Sequence, residues 1–171
     1  AAAAAGGGPA GISTGGQQMS ASEITEIKAA ANKLFAAGER VAACAEYERG
    51  WNLLRSSRAS TPTAEEASAL DTLEVALLLN LAACAHGDGR HTEALAHAEA
   101  ALALSPDATK AHYRKGQALR GLGRLAEAEA AFTTVLAIDP RNRQAHAELT
   151  ALAGGAPPAA EATATVAVAG A

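Results

Sequence analysis

The feature that most constrains this chain is a 34-residue repeat that runs from Val75 to Asn142. A unit of this length accommodates two antiparallel helices, which cannot bury their apolar faces alone. Stacked neighbours bury a continuous core, so the period predicts a helical repeat protein. Nine residues of the first copy recur in the second at the same offset: Gly87 and Gly121, Gly89 and Gly123, Arg90 and Arg124, Glu93 and Glu127, Ala94 and Ala128, Ala96 and Ala130, Leu102 and Leu136, Ala103 and Ala137, Pro106 and Pro140.

A third, more divergent copy precedes these two, with Gly38 in the place of Gly89. The interval between these two glycines is 51 residues, so 17 residues are additional to the period, and we place them between Ser56 and Asp71. Small residues recur where the two helices of each copy should cross closely. They are Ala31, Ala82 and Gly116 in the first helices, and Ala43, Ala94 and Ala128 in the second helices.

Apolar spacing and helix-ending residues predict seven helices. The first should begin near Ser20 or Ser22, where Ser20 and Glu23 fit a capping box, and should end at Gly38. A loop is predicted over 56–62, with Thr61 as the cap of the third helix and Pro62 at its first helical position. The other predicted ranges are 39–55, a third helix to about 86, then 90–104, 107–121, 124–138 and 142–153.

The two ends of the chain differ in composition from the repeats. Residues 1–21 are mostly alanine, glycine and small polar residues, and 154–171 are rich in alanine, proline and threonine. Such segments have too little apolar bulk to order themselves, which predicts disordered tails around a helical domain over 22–153. The Thr-Gly-Gly-Gln-Gln-Met run over 14–19 matches the core of a common phage-derived epitope tag, so we interpret it as a possible vector remnant.

The charge and the cysteines narrow the classes of function. A net charge of −4 gives no case for nucleic acid or an acidic membrane, and no uninterrupted apolar run approaches a membrane span. Cys44 and Cys84, the two cysteines, lie in alanine-rich helical runs and are expected to be buried and reduced. This favours a reducing compartment, the cytosol or nucleus, and we expect a cytoplasmic location. The histidines lack metal spacing, and no phosphate loop, nucleophile motif or paired-carboxylate site occurs. We therefore expect no metal, no cofactor and no enzyme activity in these residues.

Five polar residues fall on the predicted first helices, which line the concave face of a repeat stack. Lys110 and Arg114 are four residues apart on one helix face, where two cations repel by about 0.2–0.5 kcal/mol. Asn80 interrupts a leucine-rich run although asparagine is a poor helix former. A polar group there needs a partner, so these local departures predict a ligand. The five residues are Lys28, Asn32, Asn80, Lys110 and Arg114.

Three motifs carry a resemblance to a known family. They are Lys28-Ala-Ala-Ala-Asn32, Leu79-Asn80-Leu81-Ala82-Ala83-Cys84 and Lys110-Ala-His-Tyr-Arg114-Lys-Gly116. Over about 22–152 the chain resembles the carboxylate-clamp tetratricopeptide (TPR) domains of co-chaperones, most of all those of FKBP-type immunophilins. The resemblance implies an all-α, right-handed α-solenoid with three TPR helix-turn-helix repeats and a short capping helix.

The resemblance also implies a partner and residue roles. In this family the clamp holds the C-terminal Glu-Glu-Val-Asp of heat-shock protein 90 or 70. By that resemblance Lys28, Asn32 and Asn80 hold the terminal carboxylate, Lys110 meets the aspartate side chain, and Arg114 meets the peptide further back. Phe35 and Ala83, one turn beyond the two asparagines, are expected to line the valine pocket.

Two alternatives stay open at this point. The groove could belong to a TPR scaffold that binds an internal helix or another subunit, with its polar residues merely solvated. The chain could also be the docking domain of a larger peptidyl-prolyl isomerase whose catalytic residues lie elsewhere. Dependence of binding on a free C-terminal carboxylate separates the clamp from the scaffold.

Overall fold

A computed structural model describes residues 21–58 and 63–154, which form seven helices and no strand. The first six helices pack as three antiparallel pairs, and the seventh packs against the sixth. The all-α fold of three repeats and a closing helix is therefore confirmed. The helices are α1 (Ala21–Ala36), α2 (Arg40–Arg58), α3 (Ala64–Gly87), α4 (His91–Leu104), α5 (Thr109–Gly121), α6 (Leu125–Ile138) and α7 (Arg143–Ala153).

The turn inside each repeat depends on a glycine in the left-handed region of backbone space. Gly38, Gly89 and Gly123 have φ angles of 85°, 75° and 75°. In each turn the amide that follows the glycine donates to a carbonyl five residues back, as in the Schellman motif. A side chain would strain this backbone, so the aligned glycines set the same turn in every repeat. The donor and acceptor residues are Glu39 and Leu34, Arg90 and Ala85, Arg124 and Leu119.

The second helix is longer than the sequence predicted. Ser56 and Ser57 were expected in a loop, but both are helical and α2 ends at Arg58. Their hydroxyl groups donate to main-chain carbonyls one turn earlier, at 3.1 and 3.0 Å, so serine does not break the helix here. Arg58 then forms ion pairs with Asp71 and Glu74 of α3, which hold the end of α2 against the next repeat.

The cap of α3 also differs from the prediction. The expected cap and first helical residue, Thr61 and Pro62, lie outside the described residues, as does Ser20 of the first predicted capping box. The N-cap of α3 is Thr63, whose hydroxyl accepts from the amide of Glu66 while the Glu66 carboxylate accepts from the amide of Thr63. Each side chain thus accepts a hydrogen bond from a backbone amide that has no partner within the helix. This capping box fixes where α3 begins.

Small residues allow the paired helices to approach closely. The six alanine and glycine residues predicted at the helix crossings are all buried. Large side chains fill the space on either side of them, with Ile24, Leu54 and Leu77 towards the N-terminal end and Leu119 and Phe132 towards the C-terminal end. The chain has few aromatic residues, and its core is formed by closely packed helices whose flanking space is filled mainly by aliphatic side chains.

The length and mean hydropathy of α3 alone would allow it to cross a membrane. In the fold, α3 instead lies in the middle of the repeat stack, in contact with α1, α2, α4 and α5. Eight of its residues are buried there, including Leu70, Leu77 and Leu81. Its apolar composition follows from having neighbours on several sides, which is what a core helix requires.

The two cysteines are free and buried, as predicted. Cys44 of α2 and Cys84 of α3 belong to the same buried core cluster. Burial is the main cause that raises the pKa of the Cys84 thiol, and the contact with Cys44 raises it further. The protonated Cys84 thiol therefore acts as a small apolar core residue.

Gly116→Ala should lower the midpoint of thermal unfolding. A Cβ atom at Gly116 would lie 2.6 Å from Cε1 of Phe132, whose ring is fully buried. Such overpacking costs about 1–3 kcal/mol, more than the roughly 1 kcal/mol that alanine gains over glycine in a helix. Circular dichroism measures the midpoint.

The matched control is Gly50→Ala in α2. A Cβ atom there would lie 3.4 Å from Ile27 and Leu77, close to ordinary van der Waals contact. We expect an unchanged or higher midpoint for this variant. Equal midpoints for the two variants would contradict the close crossing of α5 and α6.

Candidate functional site

A cavity of about 460 Å³, here called the groove, lies along the first helices of the three repeats. These helices contact one another in order, because α1 touches α3 and α3 touches α5. All five polar residues selected from the sequence line the groove. They are Lys28 and Asn32 from α1, Asn80 from α3, and Lys110 and Arg114 from α5.

Seven other residues line the groove and were missed by the sequence analysis. Tyr113 and Gln117 could have been found, since they are within one turn of Arg114 on α5. Asn142 and Gln144 could not have been found from the sequence, because only the packing of α7 brings the start of that helix to the groove. The remaining three are Ala76, Leu79 and Thr109.

The two residues expected in a valine pocket do not line the groove. Phe35 is 39% exposed near the end of α1, and Ala83 is half-buried on α3. Each lies three residues beyond an asparagine of the groove, a spacing that turns the side chain away from the asparagine by about one-sixth of a helical turn. The role of Phe35 and Ala83 stays a prediction.

The groove concentrates positive charge in an acidic chain. Its described lining includes three cations, Lys28, Lys110 and Arg114, and no aspartate or glutamate. Within the described ranges none of these cations forms an ion pair, whereas at least six basic residues elsewhere do. The paired residues outside the groove are Arg49, Arg58, Arg90, Lys115, Arg120 and Arg124.

Arg114 shows the electrostatic cost of this arrangement most clearly. Its side chain is half-buried, and its Nη1 donates to the neutral Oε1 of Gln117 at 2.8 Å. Burial lowers the pKa of the Arg114 guanidinium, because loss of water disfavours the charged form. A half-buried cation without an anionic partner is unfavourable in the free protein, so an anion in the groove would relieve it.

The two asparagines form one hydrogen-bonded unit. Oδ1 of Asn32 accepts from the hydroxyl of Tyr47 at 2.6 Å and from Nδ2 of Asn80 at 3.2 Å. An amide oxygen has two lone pairs, so both are used. Tyr47 lies on α2, and no local sequence pattern shows that its hydroxyl reaches Asn32.

A second network joins α5 to α7 at the other end of the groove. Gln117 donates from Nε2 to the hydroxyl of Tyr113 at 3.4 Å, and that hydroxyl donates to Oε1 of Glu148 at 3.3 Å. Glu148 also pairs with Arg120, and both side chains are about seven-eighths buried, with 13% and 12% exposed. Burial, followed by the nearby Glu148 carboxylate, raises the pKa of Tyr113. The network fixes the closing helix beside the groove.

The chemistry of the groove is that of an anion-binding site. Lysine and arginine supply charge, and the asparagine amides supply directed N–H donors. Across the described residues, no group of three or more histidine, cysteine, aspartate or glutamate side chains could hold a metal ion. The arrangement suits a ligand that carries several carboxylates.

Two family models match the chain, and both are described as tetratricopeptide repeat. One covers residues 47–109 and the other covers residues 85–153. Together they span the end of the first repeat, the next two repeats and the closing helix. The helical period, the turns and these matches all point to one family.

Two curated relatives are similar to this chain. The FK506-binding protein-like protein of Homo sapiens is 36% identical over 124 residues, which are 72% of this chain and 33% of that protein. Mitochondrial import receptor subunit TOM34 of Mus musculus is 34% identical over 116 residues, which are 68% of this chain and 35% of that protein. The chain therefore spans about a third of the length of these relatives.

Two solved structures share the fold. The C-terminal TPR-containing domain of a Plasmodium falciparum FK506-binding protein has a TM-score of 0.72 at 21% identity, over 79% of this chain and 89% of that domain. The second TPR domain of human RPAP3, in complex with the HSP70 peptide SGPTIEEVD, has a TM-score of 0.56 at 28% identity. That match covers 76% of this chain and 94% of the RPAP3 domain.

Two arginines of α5 provide a matched test of the unpaired charge. Arg114→Met should leave the midpoint of thermal unfolding unchanged or raise it, because it removes a half-buried cation that lacks an anionic partner. Arg120→Met should lower the midpoint by the equivalent of about 1–3 kcal/mol, because it leaves the Glu148 carboxylate buried without its ion-pair partner. Thermal unfolding of the ligand-free protein measures the midpoints of both variants. Equal losses of stability would contradict the expected difference between the unpaired Arg114 and the paired Arg120.

Proposed function

Because the chain belongs to the tetratricopeptide repeat family, we propose that its groove binds the C-terminal Glu-Glu-Val-Asp of heat-shock protein 90 or 70. The chain then acts as a non-catalytic co-chaperone module. The observation that carries the proposal is the groove itself, with three cations and two asparagine amides and no acidic residue in its described lining.

The chemistry of a chain terminus fits this lining. A terminal aspartate presents two carboxylates a few ångströms apart, and we assign its main-chain carboxylate to Lys28, Asn32 and Asn80. We assign the aspartate side chain to Lys110 and the preceding residues to Arg114. Charge-assisted hydrogen bonds contribute roughly 1.5–3 kcal/mol each, and ordering of a flexible peptide offsets part of this gain. The balance corresponds to micromolar affinity, about −8 kcal/mol.

The relatives support this proposal. The human RPAP3 domain was solved with an HSP70 peptide that ends in Glu-Glu-Val-Asp, and its identity to this chain is 28%. A further relative, 33% identical over 117 residues, is the Hsp70-Hsp90 organizing protein of Triticum aestivum. A peptide ending in two glutamates, a valine and an aspartate is the kind of polyanion that the groove suits.

A second candidate function is the docking domain of a larger peptidyl-prolyl isomerase. The similarity to the human FK506-binding protein-like protein, a third of which this chain matches, favours it. Both candidates give the groove the same ligand, so they differ only in what the groove would deliver to the chaperone. The cytoplasmic location stays a prediction, since another relative is named as a mitochondrial import receptor subunit.

Isothermal titration calorimetry with a peptide ending in Glu-Glu-Val-Asp tests the clamp. We expect micromolar binding that weakens as salt rises, because salt screens part of the attraction. Lys28→Ala, Asn80→Ala, Lys110→Ala and Arg114→Ala should each weaken binding by about tenfold, or 1.4 kcal/mol. Lys33→Ala is the matched control, because Lys33 is an exposed cation of α1 that does not line the groove.

The same peptide amidated at its C-terminus provides the sharper comparison. Amidation removes the charge assigned to Lys28, Asn32 and Asn80 and leaves the rest of the peptide intact, so affinity should fall by about tenfold or more. If the amidated peptide binds as well as the free acid, the clamp is wrong. The groove would then be the surface of a scaffold that binds an internal segment.

A further inference from the structure

Tyr47 supports the groove from a helix that does not line it. It lies on α2, its side chain is 2% exposed, and no described residue of α2 lines the groove. Its ring packs in the core with Ile24 and Leu77, while its hydroxyl lies 2.6 Å from Oδ1 of Asn32. The hydroxyl is thus a buried polar group whose hydrogen bond ends on a residue of the groove.

The direction of this hydrogen bond follows from the state of the tyrosine. Burial, with smaller effects of Cys84 and Cys44, raises the pKa of Tyr47 to about 12. The phenol therefore keeps its proton at neutral pH, and a buried hydroxyl proton needs an acceptor. Oδ1 of Asn32 supplies that acceptor, so the oxygen end of the Asn32 amide faces Tyr47.

The position of Asn80 agrees with this orientation. Nδ2 of Asn80 donates to the same Oδ1 atom at 3.2 Å, which fills the second lone pair of the oxygen. If the Asn32 amide alone turned over, its Nδ2 would face Nδ2 of Asn80, and the Tyr47 proton would lose its acceptor. In the orientation observed, Nδ2 of Asn32 has no partner among the described residues, so its N–H groups are available to a ligand.

We propose that Tyr47 is a positioning residue for carboxylate recognition. Its hydroxyl holds the Asn32 amide so that the amide nitrogen of Asn32, beside that of Asn80, faces the terminal carboxylate. This inference rests on the proposed function of the groove. A carboxylate only accepts hydrogen bonds, whereas a carboxamide also donates them. A fixed Asn32 amide therefore favours a free C-terminus, and an amide free to turn over would present its oxygen and disfavour a carboxylate.

Tyr47→Phe removes the hydroxyl and keeps the ring that packs in the core. In calorimetry with a peptide ending in Glu-Glu-Val-Asp, we expect affinity for the free acid to fall roughly threefold to tenfold. Affinity for the amidated peptide should change little, so discrimination between the two peptides should shrink. An unchanged ratio of the two affinities would overturn the proposal, because a general structural defect weakens both alike.

Ile24→Val is the matched control for a loss of core packing. Ile24 is fully buried on α1, the same helix as Asn32, and its side chain has no polar group. This variant should lower stability slightly and leave the ratio of the two affinities as in the wild type. The same shrinkage of the ratio in Ile24→Val would overturn a specific role for the hydroxyl.

A double-mutant cycle tests whether Tyr47 acts through Asn32. In an Asn32→Ala background there is no amide to orient, so Tyr47→Phe should no longer change affinity for the free acid. Additive losses from the two substitutions would overturn the proposal, because they would mean that Tyr47 influences binding by another route.

Nuclear magnetic resonance of the peptide-free protein separates the orientation from the function. In the wild type, cross-peaks between the Nδ2 protons of Asn32 and the ring of Tyr47 should be weak, and they should strengthen in Tyr47→Phe. Strong cross-peaks in the wild type would overturn the positioning role even if the peptide binds. A wild type with weak cross-peaks and no peptide binding would instead contradict the proposed function alone.

Discussion

The close approach of paired helices at small residues is the constraint on which this structure depends. With aromatic residues at 3% of the chain, the core cannot be filled by a few bulky groups. Alanine or glycine at each crossing brings the helix axes together, and leucine and isoleucine fill the flanking space. Stacking of the repeats brings α1 against α3, so that Asn32 and Asn80 share a hydrogen bond of 3.2 Å although they belong to different repeats. A wider stack would separate these two amides.

The cations of the groove lack the acidic partners that several basic residues elsewhere in the chain have. Arg58, Arg90 and Arg124 each have at least one acidic partner close at hand, as expected for charges that serve solubility and packing. Lys110 and Arg114 lie on one helix face without such a partner in the described part of the chain. We expect this arrangement to lower the stability of the free protein and, on the proposed function, to favour a bound anion, a compromise that is common at functional sites.

The repeat made much of the fold predictable, because the turns and the helix crossings each depend on residues at a short, fixed spacing. The turns at Gly38, Gly89 and Gly123 follow from the backbone that glycine allows, and the buried alanines follow from their alignment. The five polar residues of the groove were found by the same logic, since their positions on the first helices are set by the period. Residues at one position of successive repeats face the same side of the stack.

The parts that could not be predicted depend on competition between similar local signals or on tertiary contact. The sequence from Ser56 to Thr63 holds several serines and threonines. Sequence alone does not tell that Ser56 and Ser57 bond back into α2 while Thr63 caps α3. The hydroxyl of Tyr47 meets Asn32 only because α2 packs on α1, which no local pattern encodes. Gln144 reaches the groove only through the packing of α7.

The five polar residues selected from the sequence come from three repeats that contact mainly their immediate neighbours. In such a stack the stability of each unit depends on its own packing and on one or two interfaces, so an end unit can open before the middle does. A ligand held by α1, α3 and α5 together would act as a tie across those interfaces. Part of the binding free energy would stabilise the folded state of the first repeat. The fraction of protein with bound ligand and the order of the first repeat would therefore rise together.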